Sequence, residues 1–245
     1  MIRLSEQDSI VTLTLNRPGK RNALSLALIQ ALHSGLDEVE KIESMRAFIL
    51  AGEGRSFCAG MDLRGVLEDP EAMREMLRLL SQASKRIRLL PVPTIACVQG
   101  AAVGGGCGLM IVCDFAFTHP ESKVGYPEVD LGVCPAIVAP WLIKKIGAGK
   151  ARAMLLAGGT MSGEQGFAAG LATHLCDLEE LPSATNEFAH TLIRGGRNAM
   201  AVSKRWLNEL DGSVDDDVLL QAANLSADVI ASEEAQSRLK QLFGV

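Results

Sequence analysis

The sequence predicts an α/β fold followed by a purely helical C-terminal region, and three observations support this prediction. Short apolar runs alternate with longer amphipathic stretches up to about residue 175, which is the pattern of α/β proteins. From Leu181 onward only helical periodicity remains. The 245 residues, 48% of them hydrophobic, are enough for one sizeable core with an appended helical region. We therefore divide the chain into residues 1–180 and residues 181–245.

The elements of the first region are identified by apolar periodicity and by the turn residues between them. Residues 10–15 alternate Ile, Val or Leu with Thr, which predicts a strand, and residues 16–19 have the composition of a turn. Ser25 is a suitable N-cap for a helix that continues to about Val39 with one apolar face. By the same criteria, strands are predicted at 47–50, 94–98 and 115–117, and helices at 70–90, 105–113 and 162–169.

The helix at 162–169 and the helices of the C-terminal region have recognisable boundaries. Ser162, with Gln165 at the third helical position, predicts a capping box that satisfies two N–H groups at the helix start. Glycine-containing breaks at 195–196 and 211–212 interrupt the C-terminal helical pattern. Four helices are predicted there, at 183–193, 198–210, 214–230 and 232–243.

Composition and charge exclude several classes of function. The net charge is −5 and no basic face is evident, which argues against a nucleic-acid-binding protein. Aromatic residues make up 4% of the chain, too few for a base-stacking surface. Residues 89–113 carry no charge, but their two prolines and five glycines would leave backbone groups unpaired in lipid. We therefore expect neither nucleic acid nor a membrane as a partner.

The six cysteines give no sign of a disulfide framework or a metal site. They stand at positions 58, 97, 107, 113, 134 and 176, with no Cys-x-x-Cys pair and no Cys/His cluster at zinc spacing. Most occupy apolar stretches, where a free cysteine behaves as a small hydrophobic residue. We expect reduced, structural cysteines, no metal, and a cytoplasmic location.

A glycine-rich segment at 100–108 is the first candidate for chemistry. Gly104, Gly105 and Gly106 follow a predicted strand and open an apolar helix, so free N–H groups and the positive end of the helix dipole would face a ligand. The dinucleotide-binding fingerprint fails because Leu109 stands where a third glycine is required, and no phosphate-loop Lys follows. Two interpretations remain open: an anion or oxyanion site, and glycines that only permit close helix–strand packing.

Two further features would complete such a site. Small residues at 58–60 allow a backbone to approach a ligand, although an ordinary loop is the default interpretation. Glu128 has apolar neighbours, so burial would raise its pKa toward that of a proton shuttle, whereas a solvated glutamate is the commoner alternative. Two amides that point at one spot beside a carboxylate suit an enolate-like acyl intermediate.

For the four histidines we expect surface or capping roles, and for Asp114 contacts with local backbone.

In their order and spacing, these segments resemble the enoyl-CoA hydratase/isomerase (crotonase) family. The similarity starts at Leu-Asn-Arg-Pro-Gly-Lys-Arg-Asn-Ala-Leu (15–24), which looks like the family's first CoA-contacting turn. It continues through Phe-Cys-Ala-Gly-Met-Asp-Leu (57–63), the glycine-rich segment up to Asp114, and Pro-Glu-Val-Asp-Leu-Gly (127–132). Each segment alone is unspecific, but the ordered set covers most of the chain and is specific.

The resemblance implies a spiral of ββα units and a C-terminal helical region through which family members form homotrimers, often paired into hexamers. It implies that the N–H groups of Met61 and Gly105 hold the thioester oxygen, where losing one donor typically costs ~3 kcal/mol, and that Glu128 moves the proton. It also implies an acyl-CoA substrate, no cofactor beyond the CoA moiety, and phosphate contacts from Arg21 and Arg64. The implied substrate- and CoA-binding residues are Arg21, Ala23, Ala59, Met61, Asp62, Leu63, Arg64 and Gly105.

Position 108 departs from part of the family. Hydratases of the two-glutamate type place one acid where this chain has Gly108, whereas their second acid matches Glu128. A single glutamate suffices for a 1,3-proton shift, and some hydratase-like members keep only that acid. Ala136 stands where certain dehalogenases and dienoyl isomerases of the family have an aspartate, which disfavours those activities. The resemblance favours reversible hydration or double-bond isomerisation of an enoyl-CoA, and the alternative is a catalytically degenerate acyl-CoA-binding trimer.

Overall fold

Nine strands in two sheets and ten helices are present in a computed structural model that describes residues 1–67, 69–213 and 215–244. Val214 and Val245, which the sequence analysis assigned to the C-terminal helical region, lie outside the described residues. The strands are β1 (Ile2–Gln7), β2 (Ile10–Leu15), β3 (Ala47–Gly52), β4 (Thr94–Val98), β5 (Ala101–Val103), β6 (Phe115–Thr118), β7 (Lys123–Gly125), β8 (Thr160–Ser162) and β9 (His174–Leu175). The helices are α1 (Leu26–Val39), α2 (Pro70–Leu89), α3 (Gly105–Val112), α4 (Ala139–Ile146), α5 (Ala148–Ala157), α6 (Gly163–Ala169), α7 (Leu181–Leu192), α8 (Arg197–Leu210), α9 (Asp216–Ile230) and α10 (Glu233–Phe243).

The chain alternates between a large and a small sheet. The large sheet has the order β1-β2-β3-β4-β6-β9 and is parallel except for the β1–β2 hairpin. The small sheet has the order β5-β7-β8, and single bridges between Leu24 and Met61 and between Cys58 and Ala102 add to this side. Each strand from β2 to β4 is therefore followed by a short extended segment and then a helix. This repeat is the spiral of ββα units that the resemblance implied, and the prediction of an α/β fold is confirmed.

The main core lies between the large sheet and helices α1, α2 and α3. Fully buried Leu13 and Leu15 of β2 belong to one apolar cluster with Leu28 and Leu32 of α1 and Met76 of α2. Burying such a side chain stabilises the fold by about 1.5–3 kcal/mol, so this cluster fixes the sheet against the helices. The loops that follow the strands are thereby held in place above the core.

A second apolar cluster joins the C-terminal helices to the spiral. Leu77 of α2 packs there with Val133 and Ile137, with Ile230 of α9 and with Leu239 of α10. Helix α2 thus contacts α1 on one side and α9 on the other. The C-terminal region therefore contributes a wall to the space between α2 and the 127–137 loop.

Every strand and helix that the sequence predicted is present, with ends that agree within two residues. Ser25 caps α1 by accepting from the Leu28 N–H, and the capping box of Ser162 and Gln165 has both of its hydrogen bonds. The missed elements are β1, an edge strand whose residues are mostly exposed, the very short strands β5, β7, β8 and β9, and helices α4 and α5. Strands of two or three residues are too short to show a periodicity, which is why the sequence did not reveal them.

The remaining expectations have mixed outcomes. All six cysteines are free, as expected. Within the described ranges, no helix combines the length and the apolar character that a bilayer crossing needs. The expectation for the histidines is wrong for His119, which is 7% exposed and accepts a hydrogen bond from the Gly100 N–H at Nε2. His119 therefore fixes the turn that leads into β5.

Candidate active site

A cavity of about 110 Å³ lies where the start of α3, the 59–63 segment and the loop after β7 meet. Its walls are almost entirely apolar, and among the described residues that form them Glu128 is the only one with a carboxylate or a basic group. The lining residues are Ala59, Gly60, Met61, Leu63, Leu77, Leu80, Val103, Gly104, Gly105, Pro127, Glu128, Leu131, Val133, Cys134, Pro135, Ile137, Val138, Ser226 and Ile230.

One free backbone amide at this cavity belongs to Met61. The Leu24 N–H donates to Gly60 O at 2.8 Å, and the Asp62 N–H donates to Leu24 O at 3.0 Å. Residues next to each other in an extended chain point their N–H groups to opposite edges, so the Met61 N–H faces away from this pairing. Within the described chain it has no acceptor, and Met61 lines the cavity.

The second free amide belongs to Gly105, the first residue of α3. The first N–H groups of a helix have no partner inside the helix, and that of Gly105 has none elsewhere in the described chain. Gly104 precedes it with φ +55°, a conformation that favours glycine. A Cβ placed on Gly105 would lie 3.7 Å from Cγ of Met61, so the two residues with free amides are neighbours. The arrangement suits an oxyanion, because two residues with free N–H groups, one of them at a helix N-terminus, line the same cavity.

Glu128 lies directly beside these amides. Its backbone is fixed in the turn after β7, since Glu128 O accepts from the Leu131 N–H at 3.0 Å and from the Val133 N–H at 2.8 Å. A Cβ on Gly104 would lie 2.8 Å from Oε1 of Glu128, so only glycine lets the carboxylate rest against the start of α3.

Among the described residues, no basic side chain forms an ion pair with the carboxylate of Glu128. Its Oε2 atom is buried and has no hydrogen-bond partner within the described residues. Burial raises the pKa of Glu128 from its ordinary 4.5 to about 7, because the charged form loses its hydration. A carboxyl group with such a pKa can both accept and return a proton near neutral pH.

The position where a second acid was considered in the sequence has no room for one. Gly108 is buried, and a Cβ there would lie 2.8 Å from Cγ1 of Val138. Valine is stiff about its first side-chain bond, so it cannot easily move aside. Glu128 is therefore the sole carboxylate at this cavity among the described residues.

The predicted site residues divide into two groups. Ala59, Met61, Leu63, Gly105 and Glu128 line the cavity together, as a common site requires. The remaining predicted residues are not among those that line it; they are Arg21, Ala23, Asp62 and Arg64. Arg21 and Arg64 are exposed and therefore accessible to phosphates.

Arg17 connects two of the outer residues, and the sequence analysis did not assign it a role. Its Nη1 atom donates to Ala23 O at 2.9 Å and to the carboxylate of Asp62 at 2.7 Å. Because Asp62 follows Met61 directly, this bridge fixes the segment that carries the first amide. The Asn-Arg-Pro sequence at 16–18 was the available signal, but only the fold shows which groups Arg17 contacts.

The sequence analysis also missed the distal wall of the cavity. Cys134 and Ser226 provide its only other polar side chains among the described residues, and the Ser226 hydroxyl donates to Cys134 O at 3.0 Å. Ile230 closes the same side from α9. These residues are about a hundred positions apart, so no local pattern could have joined them.

Comparisons with known proteins agree with this geometry. The family model for enoyl-CoA hydratase/isomerase matches residues 5–242. The crotonyl-CoA hydratase of Syntrophomonas wolfei is 30% identical, over 85% of this chain and 81% of that protein. The 1,2-epoxyphenylacetyl-CoA isomerase of Escherichia coli is 31% identical, over 84% of this chain and 80% of that protein. A crystal structure of an enoyl-CoA hydratase from Bacillus halodurans has the same fold, with a TM-score of 0.90 at 23% identity, covering 98% of this chain and 99% of that one.

The fold thus defines an enzyme class built from a spiral of ββα units with a C-terminal helical region. The chain belongs to the enoyl-CoA hydratase/isomerase (crotonase) family. It is accordingly an enzyme of a family that acts on acyl-CoA thioesters.

Proposed function

We propose that this enzyme converts an enoyl-CoA by passing through an enolate, which the amides of Met61 and Gly105 stabilise while Glu128 transfers the proton. The single observation that carries the proposal is the meeting, at one largely apolar cavity, of two amides and one carboxylate oxygen, Oε2 of Glu128, that have no hydrogen-bond partner among the described residues. Each group is costly to leave unpaired in a folded protein, so a ligand that satisfies all three accounts for their presence.

The two amides act on the thioester oxygen. Both would donate to it, and their bonds strengthen as negative charge develops in the enolate. A donor of this kind is worth ~3 kcal/mol in the transition state because it is oriented in advance in a site that excludes water. The proton at C2 of the acyl group thereby becomes acidic enough for a carboxylate to remove.

Isomerisation of a double bond is the reaction that the geometry supports best. Ionised Glu128 takes a proton from C2 of a 3-enoyl-CoA, and the electron pair moves into the dienolate. The protonated carboxyl then gives the proton to C4, which leaves a 2-enoyl-CoA. One carboxylate performs both steps, and the described residues that line the cavity include no second acid to position a water molecule.

Reversible hydration is the second candidate, because a relative at 30% identity is a crotonyl-CoA hydratase. In that reaction the oxygen of water bonds to C3 of a 2-enoyl-CoA while Glu128 accepts a proton from that water. The proton then passes from Glu128 to C2, which gives a 3-hydroxyacyl-CoA. The same two amides hold the enolate in both reactions.

The CoA moiety is proposed to bind along Arg21, Ala23, Asp62 and Arg64, outside the acyl cavity. Exposed guanidinium groups at 21 and 64 suit its phosphates. No other cofactor is required, because amide dipoles and a carboxylate suffice for the proton transfer. We also propose that the protein works in the cytoplasm, where its free cysteines stay reduced.

The C-terminal region, residues 181–245, is proposed to form a homotrimer or hexamer. Within its described part, helices α8 and α9 expose several large apolar side chains, which is unusual for a surface that stays in water. These side chains are Val202, Trp206, Leu207, Leu210, Val218, Leu220 and Leu225.

The test is to incubate the protein with a 2-enoyl-CoA and with a 3-enoyl-CoA in deuterated water and to follow the products by mass and absorbance. We expect deuterium in the products and turnover of at least one substrate. Glu128→Gln should lower kcat by about a thousandfold, the scale of lost general acid–base catalysis, while acyl-CoA binding persists. Glu121→Gln, at an exposed position, is the matched control. Full activity in the Glu128 variant would contradict the mechanism, and binding without any turnover in the natural sequence would identify a degenerate binder.

A further inference from the structure

Two glycines at the start of α3, Gly104 and Gly108, determine which side chains pack near the proposed acyl site. The Gly108 N–H donates to Gly104 O at 2.9 Å, so these glycines are one helical turn apart. A Cβ at Gly104 would meet the Glu128 carboxylate at 2.8 Å, and a Cβ at Gly108 would meet Cγ1 of Val138 at 2.8 Å. The Glu128 carboxylate and the Val138 side chain therefore pack against positions one helical turn apart at the start of α3, where Cβ atoms are about 5–6 Å apart.

Val138 is held firmly in this place. It is 4% exposed, lines the cavity and immediately precedes α4. The Leu142 N–H donates to Val138 O at 2.9 Å, which fixes its backbone to the first turn of α4. A β-branched side chain has few rotamers, so its methyl groups stay over Gly108.

The cavity that Val138 lines offers few groups that would hold a water molecule. A buried water needs two to four polar partners. Among the described residues that line the cavity, only Glu128, Cys134 and Ser226 have polar side chains, and the Ser226 hydroxyl already donates to Cys134 O at 3.0 Å. Glu128 supplies one partner, and its carboxylate is also the group that has to transfer the proton. Because the proposed function assigns the amides of Met61 and Gly105 to the thioester oxygen, a water molecule beside Glu128 would lack a second strong anchor.

From this geometry we infer that Val138 is a specificity-determining residue, which excludes water from the wall next to Glu128 and so favours proton transfer within the acyl group over hydration. The inference rests on the proposed function, because it concerns which of two reactions the same enolate site performs. It assigns the choice to a side chain outside α3, not only to the absence of an acid at Gly108.

A substitution with the same shape provides the test. Val138→Thr keeps the volume but adds a hydroxyl that can both donate and accept a hydrogen bond. We compare kcat/KM for hydration of a 2-enoyl-CoA with kcat/KM for isomerisation of a 3-enoyl-CoA. The hydration-to-isomerisation ratio should rise by about tenfold in V138T, the scale of one added hydrogen bond. Val138→Ala makes space without a polar anchor and should change the ratio by less than about threefold, because an apolar void stays dry.

Val229→Thr is the matched control, since it makes the same change on α9 outside the cavity. If V138T folds poorly, as judged by its thermal transition, Val138→Ser brings the hydroxyl in a smaller volume. An unchanged ratio in both hydroxyl variants would overturn the inference, and so would a natural enzyme that hydrates faster than it isomerises. Loss of both activities in Glu128→Gln would support the proposed function whether or not the Val138 variants change the ratio. Failure of the Val138 inference is therefore distinguishable from failure of the proposed function.

Discussion

Helix α3 lies between two carboxylates whose surroundings are opposite. At its start, Glu128 has a buried oxygen without any hydrogen-bond partner in the described chain. Just beyond its end, Oδ2 of Asp114 accepts from the Thr94 N–H at 2.9 Å, the Thr94 hydroxyl at 3.0 Å and Nζ of Lys204 at 2.7 Å. Arg88 adds a longer contact to the other oxygen of Asp114 at 3.5 Å.

The difference separates a structural carboxylate from one that is available to a ligand. Asp114 joins the start of β4 to α8, since Lys204 also donates to Val92 O at 2.9 Å. Burial lowers the pKa of Lys204, and the adjacent carboxylate opposes that effect, so each charge depends on the other. By contrast, Glu128 forms no ion pair with the described residues, and its Oε2 atom has no hydrogen-bond partner among them. A buried acid without a partner weakens the fold, and its retention is typical of functional sites.

The largest effect on stability should come from breaking the ion pair between Asp114 and Lys204. Asp114→Ala leaves the buried Lys204 ammonium without its counter-charge and should lower the free energy of unfolding by about 3 kcal/mol. Urea denaturation measures this change. Asp37→Ala removes an ion pair at 2.7 Å on an exposed carboxylate and should cost less than about 1 kcal/mol. Equal losses in the two variants would show that the Asp114 cluster is not the structural element described above.

Neutralising the unpaired acid should have the opposite sign. The pKa of Glu128 is raised from 4.5 to about 7, so the folded state binds the proton more tightly and its stability falls as pH rises between these values. Glu128→Gln removes this penalty and should raise the free energy of unfolding at pH 8 by about 1–3 kcal/mol. The gain should vanish near pH 4, where both states are protonated. A variant that is less stable at pH 8 would refute this account.

The same raised pKa should appear in the pH profile of the enzyme. Only ionised Glu128 can remove a proton from C2, so kcat/KM for isomerisation should fall below pH about 7 and level off above it. The fall should approach tenfold per pH unit at the acidic end, as for one essential base. Stopped assays from pH 5 to 9 measure the profile. An inflection near 4.5 would mean that the carboxylate is solvated in the free enzyme.

The smallest predicted effect is on kcat/KM and comes from removing the ion pair between Arg17 and Asp62, which fixes the segment that carries Met61. Arg17→Gln removes an ion pair whose partners are 26% and 25% exposed, and kcat/KM should fall about fivefold, or about 1 kcal/mol. A positioning role predicts a lower kcat with a smaller change in KM. Asp62→Asn should give a similar loss, and combining the two changes should add little because both remove the same contact. Additive losses would indicate that Arg17 acts on the substrate directly.

The order of elements was predictable because it depends on local patterns. The alternation in β2, the stripe of α1 and the capping box of Ser162 are each encoded within a few residues, and each was predicted with ends within two residues. The short strands β5, β7 and β8 were not, since a strand of three residues forms only when a neighbouring strand provides its hydrogen bonds. The ion pair between Asp114 and Lys204 could not be predicted from local sequence patterns either, because the two residues are 90 positions apart in the chain.

The sequence by itself determined the fold class, the family resemblance and the candidate residues, because glycine runs, caps and apolar periodicity act over one or two helical turns. It gave Met61, Gly105 and Glu128 as candidates but could not show that they meet. Only the tertiary structure decided that their two free amides and the carboxylate share one cavity, that Val138 covers Gly108, and that α9 closes the far wall. Desolvation and close packing depend on all neighbours in space, and these come from distant parts of the chain.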